Sequence, residues 1–239
     1  GRGFEALATG NSRLYSTGKG RDPEPGPQEY WMGGNGFGLQ CEDVNNDGLM
    51  DIWLANISHP VASDYNRKWS DPSQLLLNEG RAAGYHFRNI YLDAEIPFNE
   101  GDLAAAMADF DNDGRMDLSM SRESKYELQY TDPELKAWFG LFHQREGLVF
   151  ESVGLTSGIN DPGDPARPEH QRAKGSGSHA WSDIDHDGDV DLLVGAFQHF
   201  ADEGRANYLL RNDIGSRNAW LAIRLAHDGS RFNRDAIGA

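Results

Sequence analysis

Three copies of one acidic pattern limit what this chain can fold into. Residues 43–51 read Asp-Val-Asn-Asn-Asp-Gly-Leu-Met-Asp, residues 109–117 read Asp-Phe-Asp-Asn-Asp-Gly-Arg-Met-Asp, and residues 183–191 read Asp-Ile-Asp-His-Asp-Gly-Asp-Val-Asp. Their starts lie 66 and 74 residues apart. Oxygen side chains hold positions 1, 3, 5 and 9 of every copy: Asp43, Asn45, Asp47 and Asp51; Asp109, Asp111, Asp113 and Asp117; Asp183, Asp185, Asp187 and Asp191. Glycine holds position 6, and position 7 varies among Leu49, Arg115 and Asp189, as suits a position that offers only its backbone carbonyl.

Calcium takes six to eight oxygen ligands, and a tight loop aims alternate side chains at one point when a glycine permits the turn. Asp, Asn and Gly also favour ordinary surface turns, but three copies in the same register point to metal, with one Ca2+ expected per loop. An EF-hand begins the same way and requires a glutamate at position 12 between helices. Position 12 is Leu54, Met120 and Val194, so the EF-hand is excluded in all copies.

Short apolar runs flank each loop, at 38–42 and 51–57, at 104–108 and 117–121, and at 178–182 and 191–197. They are too short for helices and read as strands. Position 2 (Val44, Phe110, Ile184) and position 10 (Ile52, Leu118, Leu192) are apolar throughout, so each loop is expected to be a hairpin with an apolar anchor at either end. Two further strands follow in each unit: 74–78 and 85–90 around a turn at 79–84, 138–143 and 148–153 around 144–147, and 207–211 and 220–225 around 212–215. Four strands per unit describe the blade of an all-β propeller.

Composition narrows the partners. Asp and Glu outnumber Lys and Arg 38 to 22, a formal charge of −16 that disfavours nucleic acid and favours cations. No apolar run approaches the ~20 residues of a membrane helix. Cys41 is the only cysteine, so no internal disulfide forms; it aligns with Met107 and Trp181 and is expected to be a packed core thiol. The N-terminus has no basic segment followed by an apolar one, so a secreted chain would have lost its signal peptide or carry it outside this segment.

Phe37-Gly38, the Asp-rich core, and the segments Leu-Leu-Asn-Glu-Gly at 76–80 and Leu-Leu-Arg-Asn-Asp at 209–213 resemble the FG-GAP/VCBS repeats of integrin-like β-propellers. The tail, from Asn218-Ala-Trp-Leu-Ala-Ile-Arg-Leu to the end, resembles the opening of the ASPIC/UnbV domain of cartilage-acidic-protein-like secreted proteins. The resemblance implies blades over 1–215 (approximately 1–92, 93–157 and 158–215) and the start of a second module over 216–239. Propellers close with four to eight blades, so three metal hairpins imply a partial propeller, completed elsewhere in a longer chain or by a neighbouring chain. It also implies a secreted, periplasmic or cell-surface module that binds a protein or glycan.

The spacers 16–29, 59–73 and 158–177 are polar, rich in Gly and Pro, and the leading places for partner contacts. Trp31, Tyr65, Trp69 and Trp138 are expected to be blade aromatics more than stacking surfaces for a sugar. The histidines around the third unit, His170, His179, His186 and His199, match no zinc spacing, and His186 sits at position 4, where side chains are expected to point outward. Asn56-Ile-Ser58 matches a glycosylation triplet inside an expected strand and is discounted. No catalytic constellation stands out, so the leading expectation is a non-enzymatic module. A polysaccharide lyase using a base such as His143, Lys125 or Lys174 is the alternative, followed by a structural subunit of a surface assembly. By charge count the first loop, with Asn45 in place of a carboxylate, is the weakest calcium site if the three geometries are equal.

Overall fold

Short alternating runs separated by glycine-rich turns pair most readily as antiparallel strands. The computed structural model describes residues 35–57, 73–84, 86–99, 101–123, 137–160, 176–196, 207–218 and 220–221. The first sheet has the order β1 (Asn35–Glu42), β2 (Asp51–Ile57), β3 (Gln74–Asn78), β4 (Phe87–Asn89). The second is β5 (Asp102–Ala108), β6 (Asp117–Arg122), β7 (Phe139–Arg145), β8 (Val149–Ser152), and the third contains β9 (Ser176–Ser182), β10 (Asp191–Ala196) and β11 (Tyr208–Leu210). All neighbours are antiparallel. Among the described residues the remaining regular structure is a pair of 3-10 turns, Arg81–Ala83 and Gly215–Arg217. The molecule is all-β, built of antiparallel blades.

The acidic loops close between the paired residues Glu42 and Asp51, Ala108 and Asp117, and Ser182 and Asp191. A β-bulge recurs at the far end of each hairpin, where the register slips past Phe37, Leu103 and Gly177. A bulge bends a strand and strengthens its twist, and here it lets each first strand lie against the preceding sheet: β5 packs on β1 and β2, and β9 on β5 and β6. Gly38 is needed for that approach, because a Cβ there would stand 2.9 Å from the Ala104 Cα. The Gln40 side chain continues the link, accepting from the Met107 N–H at 2.9 Å and donating to the Met107 carbonyl at 3.4 Å.

Between the first two sheets lie Val44, Trp53, Leu75, Met107 and Phe142, and between the second and third lie Phe110, Trp138, Leu141, Leu192 and Val194. Each large apolar side chain so buried contributes roughly 1.5–3 kcal/mol. Trp53 also donates its indole N–H to the Ser119 carbonyl at 3.0 Å. At the end away from the acidic loops, Arg122 donates to Asp102 at 3.2 Å and Ser73 donates to the other oxygen at 2.8 Å. Burial pushes the Asp102 carboxyl up to about 6, against the pull of Arg122.

Three expectations are corrected. Cys41 is exposed: Met107 turns onto the first sheet and Trp181 onto the second, where its indole donates to Ser119 Oγ, but no described residue stands in that place against Cys41. Ile184 is 45% exposed although Val44 and Phe110 at the same loop position are buried, because both of these face a following sheet. Trp220 and Leu221 are not in a strand, and the rest of the expected strand, 222–225, lies outside the described residues. Also outside are Trp31, Tyr65, Trp69, His170, His199, Lys125, Lys174 and most of the three spacers. Trp138 and Asn56 are buried.

His179 joins the second and third sheets, its Nε2 and Nδ1 each 2.8 Å from the hydroxyls of Ser119 and Ser121, its ring edge-on to Phe139. Desolvation holds it down at about 4, so the folded protein keeps it neutral. The unfolded chain takes up that proton near pH 6.5. The contribution is therefore intact above pH 6.5 and lost as pH falls toward 4, by up to about 3 kcal/mol. Unfolding free energies measured across this window should show that slope, and His179→Gln should flatten it.

Candidate metal centre

Each acidic loop takes the same path. Position 4 has a left-handed backbone in all three, with φ of 58° at Asn46, 55° at Asn112 and 64° at His186, and the position 6 glycines have φ of 86°, 86° and 97°. Asn and His tolerate that region better than most side chains, and glycine enters it freely. The position 1 carboxylate fixes the turn. Asp43 accepts the N–H groups of Asp47 and Gly48, Asp109 those of Asp113 and Gly114, and Asp183 that of Gly188. Position 5 accepts from position 7, with Asp47 bonded by Leu49 N–H, Asp113 by Arg115 N–H and Asp187 by Asp189 N–H.

Position 9 has a second task. Asp51, Asp117 and Asp191 are buried, and one oxygen of each accepts the position 2 N–H from Val44, Phe110 or Ile184. The other oxygen accepts an N–H from at or just past the end of the third strand, from Asn78 at 2.8 Å, Gln144 at 2.8 Å and Asn212 at 2.9 Å. The side-chain amides of those same residues donate back to the position 8 carbonyls of Met50, Met116 and Val190. Gln144 and Asn212 reach further, to the position 2 carbonyls of the preceding loop at Val44 and Phe110. Nothing in the acidic pattern announces these amides; the signal is an Asn or Gln within two residues of the end of the third strand in each unit. Gln144→Ala orphans the buried Val44 carbonyl and the half-buried Met116 carbonyl and should cost about 1–3 kcal/mol in chemical unfolding.

Ligand oxygens of positions 1, 3 and 9 converge in loops two and three. Those of Asp109, Asp111 and Asp117 lie within 4.8 Å of one another, as do those of Asp183, Asp185 and Asp191. Position 5 stands outside both groups. In the first loop, Asn45 takes the position 3 place, its amide donating to Asp47 at 2.9 Å. At position 7, Leu49 and Arg115 are half-buried while the Asp189 carboxylate is buried, with Ser216 N–H on one oxygen.

The donor set fits a hard divalent cation. Asp111 Oδ1, Asp183 Oδ1 and Asp189 Oδ1 are buried without a hydrogen-bond partner, a costly state for carboxylate oxygens unless an ion neutralises them. Burial raises Asp51, Asp109 and Asp189 above the usual carboxylate range. Asp117 is pushed up to about 8 by burial, with the charges of Asp111 and Asp113 adding to it against two backbone hydrogen bonds. A bound Ca2+ would supply the positive charge these groups otherwise take from a proton.

The loops are also tied to one another. Asn46 donates to the Gly114 carbonyl at 3.4 Å, and Asn112 to the carbonyls of Gly188 at 2.9 Å and Gly215 at 3.1 Å. The position 4 asparagines therefore bridge to the next loop where an outward-pointing side chain was expected; His186 is exposed. His143, the lyase candidate, is 3.3 Å from Asp111 and 3.1 Å from Asp113.

No helix among the described residues is long and apolar enough to cross a membrane. A search of curated proteins found no match. Residues 43–119, from the first ligand of loop one through loop two into β6, match the FG-GAP-like repeat family, whose repeats are of the propeller type.

Proposed function

We propose that this chain is a run of calcium-stabilised propeller blades that serves as a non-enzymatic extracellular module binding a protein or glycan. The carrying observation is the loop path common to all three copies, with position 1, 3 and 9 carboxylates converging in loops two and three and buried oxygens there that lack hydrogen-bond partners. Its FG-GAP-like match supports the extracellular interaction role, and such modules bind calcium with Kd of roughly 10⁻⁴–10⁻³ M, which only a calcium-rich compartment fills. Three bound ions would bring the formal charge from −16 to −10. The lyase alternative is weakened by the pairing of His143 with two loop carboxylates. Incubation with acidic polysaccharides in calcium is expected to release no unsaturated uronate ends, and their appearance would refute the non-enzymatic reading.

A second feature favours completion of the propeller by further blades or a neighbouring chain. Phe37 and Leu39 are 63% and 60% exposed at one end of the arc, and Leu193 and Leu209 are 48% and 59% exposed at the other. The equivalents of Leu209 in the other sheets, Leu75 and Leu141, are buried by the following sheet. The proposed division into blades over 1–215 and an ASPIC/UnbV-like start over 216–239 rests on sequence resemblance.

A further inference from the structure

We infer that Arg115 forms a built-in counter-charge that competes with calcium for the second loop, making it the weakest of the three sites and the one that holds its shape without the ion. This rests on the calcium reading proposed for the loops.

Arg115 is at position 7, and its guanidinium is anchored at both ends: it bonds the Asp113 carboxylate, and its Nε donates to the Gln144 carbonyl at 3.0 Å. His143, the residue before Gln144 on β7, places Nε2 3.3 Å from Asp111 and 3.1 Å from Asp113. Its ring stands edge-on to Phe110 at 5.8 Å, which fixes its direction. The Asp113 carboxylate thus already holds a cationic donor, in a loop where side-chain exposure is only 17% for Asp113 and 12% for His143 beside it, and Asp111, Asp113 and His143 offer ligand atoms within 4.8 Å of one another. An ion entering the loop must displace or share those bonds, and partial burial makes them stronger than surface pairs.

The other loops lack this arrangement. In loop one the same two places are Leu49 and Leu77, and Asp47 accepts from the neutral Asn45 amide. In loop three, position 7 is a further acid, Asp189, and the residue in the place of His143 is Arg211, which feels the charges of Asp185 and Asp187 but is exposed and bonds Asp213 at 3.0 Å instead of a loop carboxylate. Charge count places loop one last; the geometry places loop two last, because its four carboxylates are not all free to face an ion.

Calorimetric titration of the folded chain with calcium chloride tests this. The expected result is two tighter sites and a third weaker by about tenfold or more, the scale of one charge-assisted hydrogen bond. R115L, which gives loop two the residue of loop one, should bring the third site to within about threefold of the others. L49R should weaken the first site. Melting R115L in calcium and in chelator adds a second readout: the loss should be larger in chelator, whereas a merely structural arginine would lower both equally. Three equal sites in the wild type, or a weak site that R115L leaves unmoved, would overturn the inference while leaving the calcium reading intact. Absence of any calcium binding would overturn both.

Discussion

Replacing Asp117 with alanine is expected to destabilise the protein by about 3–5 kcal/mol, in chelator as well as in calcium. The carboxylate is 1% exposed and each of its oxygens accepts a backbone N–H, from Phe110 and from Gln144. Alanine leaves both donors buried without partners, at about 1–3 kcal/mol each, and opens a gap where the loop meets β7. Against a domain stability of roughly 5–15 kcal/mol, the variant would be close to unfolding. Asp111→Ala provides the contrast, because Asp111 accepts no backbone N–H: its Oδ1 has no hydrogen-bond partner and its Oδ2 faces His143 at 3.3 Å. It should weaken the protein in calcium by no more than about 1.4 kcal/mol and in chelator by about 1 kcal/mol or less, where the His143 contact is what is lost. Urea unfolding of both variants under both conditions separates the two roles of the acidic loop, clamp and ligand set. Equal losses in the two variants would contradict the division.

Removing calcium should have the next largest effect. With Kd of roughly 10⁻⁴–10⁻³ M and about 1 mM calcium, the first and third sites each contribute on the order of 0.4–1.4 kcal/mol by mass action, and a tenfold weaker second site adds no more than about 0.4 kcal/mol. Together they give about 1–3 kcal/mol, which for a protein of this size lowers the melting temperature by about 2–12 °C in excess chelator. The loss should extend beyond the loops. Asn46 and Asn112 connect each loop to the next through the Gly114 and Gly188 carbonyls, so loosening one turn removes a bond from its neighbour. An unchanged melting curve would remove calcium from the account.

How much of this was legible in the sequence differs by feature. The hairpin strands could be read because apolar runs of that length, broken by Asp-Gly turns, have no other stable form; β2 and β3 occupy the expected 51–57 and 74–78. The recurrent bulge was hidden, since one extra residue at Phe37, Leu103 or Gly177 shifts the alternation without breaking it. Cys41 and Ile184 show a different limit: alignment identifies equivalent positions, but burial depends on whether a sheet stands opposite. Gln144 and Asn212 read as turn formers, because their partners at Val44 and Phe110 lie about a hundred residues away. The oxygens of the metal loops were visible from spacing, yet the engagement of Asp113 by Arg115 was not, as it depends on the Gln144 carbonyl of a distant strand.

The central claim is that the three loops hold calcium. Equilibrium dialysis of the intact protein against calcium raised stepwise to about 100 mM, well above a Kd of roughly 10⁻⁴–10⁻³ M and a second loop about tenfold weaker, followed by elemental analysis, tests it most directly. Three ions per chain at saturation are expected, falling by one in each of Asp43→Ala, Asp109→Ala and Asp183→Ala. A saturated content near zero, or one that these substitutions leave unchanged, would contradict it.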